Sequence, residues 1–331
     1  MAIADVTVRG AGIFGLSVAW ACTRLGARVQ VIDPAPPGSG ASGGIVGALA
    51  PHVPDQWNAK KEFQFQALRV SGAYWAEVQA ASGLPTGYIR SGRIQPIAET
   101  AVPLARARSV GAAEHWGGDY EWLVETGRWG WQIRDTLSAI LHPRQAIASL
   151  QAALTETGTS FLATGRDEGA VVHATGWRGL VQLDWGQGEK GQAILLGHDL
   201  GGTPQLMIDG LHVIPHQNGT VAIGSTSERT WQSEAPDQQC EALLARAVSA
   251  MPELTGATVL ERWAGVRPRA KTRAPLIGQL PERPNHFIAN GGFKIGFGIA
   301  PRVGEVLARL ILTGEDLIPD EFKPTGVSAS S

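Results

Sequence analysis

Gly10-Ala11-Gly12-Ile13-Phe14-Gly15 follows a short alternating apolar run, Val6 to Val8, and opens a helical stretch that reaches Leu25. Gly10 permits a tight turn, Gly12 lets a pyrophosphate approach the backbone, and Gly15 lets the helix pack closely on the strand. The helix N-terminus offers free N–H groups and partial positive charge to phosphate. Gly26 stops the helix, at the C′ position where a left-handed backbone is favoured. A second strand, Arg28 to Ile32, ends at Asp33, 23 residues after Gly10. A carboxylate there accepts hydrogen bonds from ribose hydroxyls. Strand, glycine turn, helix, strand and acid in this order predict a dinucleotide-binding unit.

The next segment separates the two common dinucleotides. Pro34, Pro36 and Pro37 forbid regular structure, and a Gly/Ser/Ala-rich run follows from Gly38 to Ala50, including Ala41-Ser42-Gly43-Gly44. Small residues there let backbone pass beside a large flat ring system. The nucleotide-binding pattern resumes only at Val171 to Gly176, with the Ala174-Thr175-Gly176 turn, and again at His286 to Gly298. An NAD domain would continue with further helix–strand units. A domain assembled from separated segments favours FAD.

With 331 residues, 44% of them hydrophobic and 18% charged, the chain suits one large or two intertwined domains. A formal net charge of −2, with no block of like charges, gives no reason to expect nucleic acid or an anionic membrane as partner. Two distant cysteines, Cys22 and Cys240, argue against a zinc site or a disulfide framework and fit a cytoplasmic setting. Neither a signal peptide nor a membrane span is expected. Helices are expected from about Lys60 to Ala81, near His142 to Thr155, and from about Asp237 to Met251. A strand is expected within Tyr88 to Ile97. Several strands separated by Gly, Asp-Gly and Asn-Gly turns are expected from Gln192 to Thr226, which predicts an antiparallel sheet.

These motifs resemble the D-amino-acid oxidase superfamily, and within it the glycine/sarcosine oxidase branch. The resemblance covers most of the chain. It rests on the glycine turn with Asp33, the run Ala41 to Ala48, the Ala174-Thr175-Gly176 turn and Glu189-Lys190-Gly191-Gln192. It also rests on His212-Val213-Ile214-Pro215, Val221 to Thr226, Trp263 to Pro268 and Gly291 to Pro301. It implies an α/β fold: a divided Rossmann-like domain binding FAD non-covalently, with an inserted α+β substrate domain built on an antiparallel sheet. The expected limits are 1–50, 140–180 and 262–331 for the FAD-binding domain, and 51–139 and 181–261 for the substrate domain. Two departures stand out. The stretch between His142 and Gly176 is shorter than in the family, which implies less strand material near the adenine. His212 occupies a position that is often Tyr in the glycine-oxidase pattern.

The resemblance implies oxidation of the C–N bond of a small amine or amino acid, by hydride transfer to flavin, with hydrolysis of the resulting imine. Oxygen is the expected acceptor; another electron acceptor would make the protein a dehydrogenase. A tRNA-base side-chain oxidase of the same fold and a non-catalytic flavin-binding sensor are the alternatives, and a homo-oligomer is left open. A guanidinium holds a carboxylate with two parallel hydrogen bonds, and Arg267 matches the family's carboxylate-binding arginine. Lys294, in the turn Gly292-Phe293-Lys294-Ile295-Gly296, is placed to stabilise reduced flavin or to contact substrate. His212 is a candidate for hydrogen bonding in the pocket, and His52 for lining it, whereas His173 reads as structural. A final helix starting near Pro301 would aim its N-terminus at the flavin's pyrimidine edge. The 11 tryptophans are conspicuous, and Trp116, Trp122, Trp129 and Trp131 read either as packing or as an aromatic wall for a bulkier substrate.

Overall fold

Val6 and Val8 are fully buried, and their strand lies in the interior of a six-stranded sheet with a neighbouring strand on each side. A computed structural model describes residues 3–118, 120–281 and 283–324. The chain begins β1 (Val6–Arg9), α1 (Ile13–Arg24), β2 (Val29–Ile32), β3 (Ala48–Leu49), α2 (Ala59–Ser82), β4 (Arg93–Pro96) and α3 (Val102–Trp116). It continues through β5 (Trp122–Gly127), β6 (Gly130–Asp135), β7 (Ala139–Ile140), α4 (Pro143–Glu156), β8 (Ser160–Leu162), β9 (Ala170–His173) and α5 (Gly176–Gln182). Then come β10 (Gly186–Gly197), β11 (Gln205–Ile208), β12 (Leu211–Pro215), β13 (Thr220–Gly224) and α6 (Gln239–Ala250). The last elements are β14 (Thr258–Ala270), β15 (Leu276–Gln279), β16 (His286–Asn290) and α7 (Gly296–Thr313).

Two large sheets organise these elements. The first has the order β15-β16-β9-β1-β2-β8, parallel except for the β15–β16 pair. It is assembled from three separated stretches of chain, as expected for the divided nucleotide domain. Seven residues, 163–169, lead from β8 directly to β9, which accounts for the short stretch before Gly176. Leu16, Val18, Ala19 and Cys22 of α1 are buried in the same core as Val303, Val306 and Leu307 of α7.

The second sheet has the order β14-β10-β13-β12-β11-β4-β6-β5 and is antiparallel except where β4 runs parallel to β11. Its tight register comes from local turn chemistry. Asp209 and Gly210 both take positive φ, 48° and 76°, so a two-residue turn joins β11 to β12 and pairs Met207 with His212. Among the described residues, no helix is long and apolar enough to cross a membrane.

The strand expected within Tyr88 to Ile97 is Arg93–Pro96, preceded by an isolated bridge at Ile89. Several expectations need correction. β14 stays in the second sheet from Thr258 to Ala270, across the limit expected at 262. α2, expected within the substrate domain, buries Phe63, Phe65 and Leu68 in the core shared with α1 and α7. The last helix starts at Gly296, because the turn before it closes through Ile295 N–H donating to the Gly292 carbonyl. Pro301 therefore sits in the second turn of α7, where it supplies no N–H to the ladder, and not at the first helical position.

Candidate active site

The nucleotide end is built by the C-terminal ends of β1, β2 and β9. Gly10 has φ of 110°, and a Cβ there would stand 2.3 Å from the Ala174 carbonyl oxygen. Only glycine allows β1 to turn this close to the Ala174-Thr175-Gly176 segment. A Cβ on Gly15 would stand 1.9 Å from the Gly10 carbonyl oxygen, so this glycine sets the helix–strand approach. At Gly12 the nearest atom to such a Cβ is Ser42 Oγ at 3.2 Å, and the backbone is open there to a ligand. Ser42 Oγ also accepts from Ile13 N at 2.9 Å, which places a hydroxyl at the N-terminus of α1.

Asp33 Oδ2 accepts from Ala11 N at 2.7 Å and Oδ1 accepts from Ala35 N at 2.9 Å. These bonds hold the carboxylate at the mouth of a cavity of about 290 Å³ lined by Ala11, Val31, Asp33, Pro34, Phe161 and Leu162. Glycine cradle, helix N-terminus, carboxylate and apolar slot would fit the pyrophosphate, ribose and adenine of a dinucleotide. The small-residue run has a second cause besides a ligand. Cβ atoms on Gly43 and Gly47 would stand 2.4 and 1.8 Å from the carbonyl oxygens of Gly38 and Leu141. The protein's own backbone crosses the run there. Ala41 to Gly43 form a short 3-10 turn, and Gly44 lies against Trp263.

The turn before α7 closes on this region. A Cβ on Gly292 would stand 2.7 Å from the Phe14 ring, and Gly296 lies beside Ile13. Phe293 takes a positive φ of 42° and donates its N–H to the Pro268 carbonyl. The turn is thus fastened to both the first helix and β14.

Arg267 lies on one face of the second sheet. Antiparallel neighbours share a face, and the register pairs Arg267 with Glu189, Gly265 with Gly191, Trp263 with Ala193, Ala193 with Gly224, and Gly224 with His212. This face packs on the segment after the small-residue run: Ala193, Ile214, Ala222 and Trp263 cluster with Ile45, Val46 and Ala48. Arg267 Nη2 donates to Ser225 Oγ at 2.7 Å and Nη1 to the Thr226 carbonyl at 3.2 Å. Burial lowers its ionisation from the ordinary value, while Glu189 and Glu228 act the other way. Glu189 accepts from Arg269 at 2.6 Å and from the Ser227 hydroxyl. Burial works to raise the Glu189 carboxyl, but Ser227 and Arg269 outweigh it and hold the group below its ordinary range.

Lys294 is brought into this charge cluster. Partial burial of its stem, followed by the nearby Arg267 guanidinium, holds its ammonium below the usual lysine range. His212 is pushed down to about 4 by burial first, with Arg93 and Lys294 adding to the shift, and its Nδ1 is buried without a hydrogen-bond partner. Lys294 therefore lies within electrostatic reach of both Arg267 and His212.

Other candidates fall elsewhere. His173 Nε2 lies 3.0 Å from His286 Nδ1, a stacked pair between neighbouring strands. Trp116 and Trp122 pack edge to face in the core at 5.7 Å, and Trp129 and Trp131 lie beneath Arg128 and Arg106. The tryptophan at the site is Trp263, against Gly44 and Gly265. His52 keeps a buried, unpartnered Nδ1 beside α2. Reading the sequence missed Ser225 and Thr226 as anchors for Arg267. A signal for the network behind them was the pair of charges, Glu189 and Lys190, in a strand whose second half is apolar.

The family model described as FAD dependent oxidoreductase matches residues 5–310. This chain belongs to that family, the D-amino-acid oxidase type. The family's cofactor is FAD, which the cradle around Gly12 and Asp33 fits. A glycine oxidase of Bacillus licheniformis is 24% identical over 93% of this chain and 93% of its own length. A glycine oxidase of Pseudomonas putida is 33% identical, but that match spans 41% of this chain and 38% of the relative. A protein of Rhizobium etli named putative thiamine biosynthesis oxidoreductase ThiO is 28% identical over 93% of this chain and 96% of its length. Among solved structures, the glycine oxidase of Geobacillus kaustophilus superposes with a TM-score of 0.87 at 19% identity, covering 98% of this chain and 99% of that one. An iminodiacetate oxidase from Chelativorans reaches 0.85 at 21% identity, covering 96% and 98%. These superpositions establish the shared fold.

Proposed function

We propose that the protein oxidises the C–N bond of a small amino acid or carboxylate-bearing amine. The observation that carries this reading is the fixed Arg267 guanidinium, held by Ser225 and Thr226 on the sheet face that packs toward the small-residue run. Two of its N–H groups are anchored, and those remaining present a planar fork suited to a carboxylate. The names of the relatives, glycine oxidase and iminodiacetate oxidase, point to the same class of molecule.

Bound FAD supplies a two-electron acceptor for a hydride from the substrate's α-carbon. The chain's own residues orient the substrate. Arg267 fixes the carboxylate, and with it the direction of the α-carbon–hydrogen bond. His212, neutral at physiological pH, offers Nδ1 to a substrate N–H. Lys294 adds positive charge beside the carboxylate. Water then hydrolyses the imine product. The acceptor is oxygen or another electron carrier, and the setting is the cytoplasm.

The test is a panel of glycine, sarcosine, D-amino acids and cyclic imino acids, scored by loss of flavin absorbance without oxygen. At least one carboxylate-bearing amine should bleach the flavin within a turnover. No bleaching by any member, with FAD fully bound, would remove the reading.

A further inference from the structure

Lys190 is 1% exposed, and none of the roles described so far requires a buried cation at that position. It lies in β10 between Glu189 and Gly191, on the face opposite the Arg267 guanidinium. Nζ donates to Asp237 Oδ2 at 2.8 Å and lies 3.8 Å from Glu228 Oε2. A buried ammonium is unfavourable unless it is paired, so these two carboxylates are what hold it there.

The backbone repeats the connection. Lys190 N donates to the Glu228 carbonyl and Glu228 N to the Lys190 carbonyl, both at 2.9 Å. Glu228 Oε1 accepts from the Thr226 hydroxyl and from Gln192 Nε2. Gln192 N donates to Thr226 Oγ1 at 2.8 Å, and Thr226 N returns a bond to the Gln192 carbonyl. Residues 225–228 are therefore stitched to β10 from Lys190 to Gln192. That same segment carries the Ser225 hydroxyl and Thr226 carbonyl that receive the Arg267 N–H groups.

We propose that Lys190 is a positioning residue: by pinning Glu228 and Asp237 it fixes the Ser225–Thr226 anchor and so sets the orientation of the Arg267 fork. This rests on the reading that Arg267 holds the substrate carboxylate. Without the ammonium, the buried Glu228 carboxylate and the half-exposed Asp237 carboxylate lose the cation between them, and the anchor moves. The loss appears as weaker carboxylate binding and not as a missing reacting group.

The experiment uses FAD-loaded protein and acetate as the carboxylate probe, titrated by calorimetry, with KM and kcat measured on the best amine from the panel. Lys190→Met should retain FAD, weaken acetate about ten-fold, and raise KM by a similar factor with kcat nearly unchanged. Lys190→Arg should recover most of the affinity, because charge is restored. In an Arg267→Ala background, Lys190→Met should have no further effect on acetate, since both act through one group. If Lys190→Met does not fold, Glu228→Gln carries the same test with the same expected loss. Unchanged acetate affinity in Lys190→Met, or additive losses in the double variant, would overturn the proposal. Acetate binding unaffected by Arg267→Ala would instead remove the carboxylate-fork reading itself, and this inference with it.

Discussion

The Arg267 guanidinium lies directly over Gly191: a Cβ at position 191 would stand 1.9 Å from Nη2 and 2.2 Å from Cζ. Gly191 is one strand away from Arg267 and takes no positive φ, so it is glycine for the space it leaves and not for its backbone. Gly191→Ala should displace the fork, which is the flexible end of a long side chain, with little cost to folding. The expected outcome is a rise in KM for carboxylate substrates of about ten-fold or more, since a charged hydrogen bond is worth about 1.5–3 kcal/mol. Steady-state kinetics beside a thermal melt separate the two effects. An alanine variant with ordinary KM would show that the fork has room to spare.

At the nucleotide end the testable group is Asp33. Its carboxylate is preset by the Ala11 and Ala35 N–H groups at the edge of the adenine-side cavity. Asp33→Ala should weaken FAD by about ten- to one-hundred-fold, the loss of a pair of hydrogen bonds to ribose. Titration of apoprotein with FAD, followed by quenching of flavin fluorescence, gives the number directly. Equal affinity in the variant would place the ribose elsewhere.

Two buried imidazoles make stability depend on acid pH. His212 and His216 are both pushed down to about 4 from the ordinary 6.5, burial being the leading cause in each. Arg93 and Lys294 add to it for His212, and His142 for His216. The unfolded chain therefore binds more protons than the folded one between those values. Stability should fall as the pH drops from 6.5 toward 4, and this contribution should level off below. Urea midpoints measured across that range check the sign. His212→Asn should remove part of the slope in that window, and an unchanged slope would show that its imidazole is not held neutral.

The parts of this fold legible in the sequence are the parts set by near neighbours. Gly10, Gly12 and Gly15 are spaced within one turn of chain, even though Gly10 also makes room for distant Ala174, and Asp33 follows at the end of the next strand. Asp209-Gly210 specifies its hairpin by itself, and with it the register that carries His212. The Arg267 anchor is different. Its partners lie 41 and 42 residues away, and the glycine beneath it belongs to another strand. No local pattern encodes that meeting; only the sheet order brings it about. Pro301 shows a local rule overridden: its preference for a first helical position is real, but a turn closed five residues earlier starts α7 sooner. The tryptophans in 116–131, which the sequence left open to packing or to substrate, are taken up by packing and cation stacking.

The most direct test of the account is Arg267→Ala in the FAD-loaded protein, assayed anaerobically with the best carboxylate-bearing amine and with the same amine lacking its carboxylate. Full flavin occupancy is expected, with a loss of about 2–4 kcal/mol in kcat/KM for the first substrate and little change for the second. Equal losses on both, or none on either, would contradict the account.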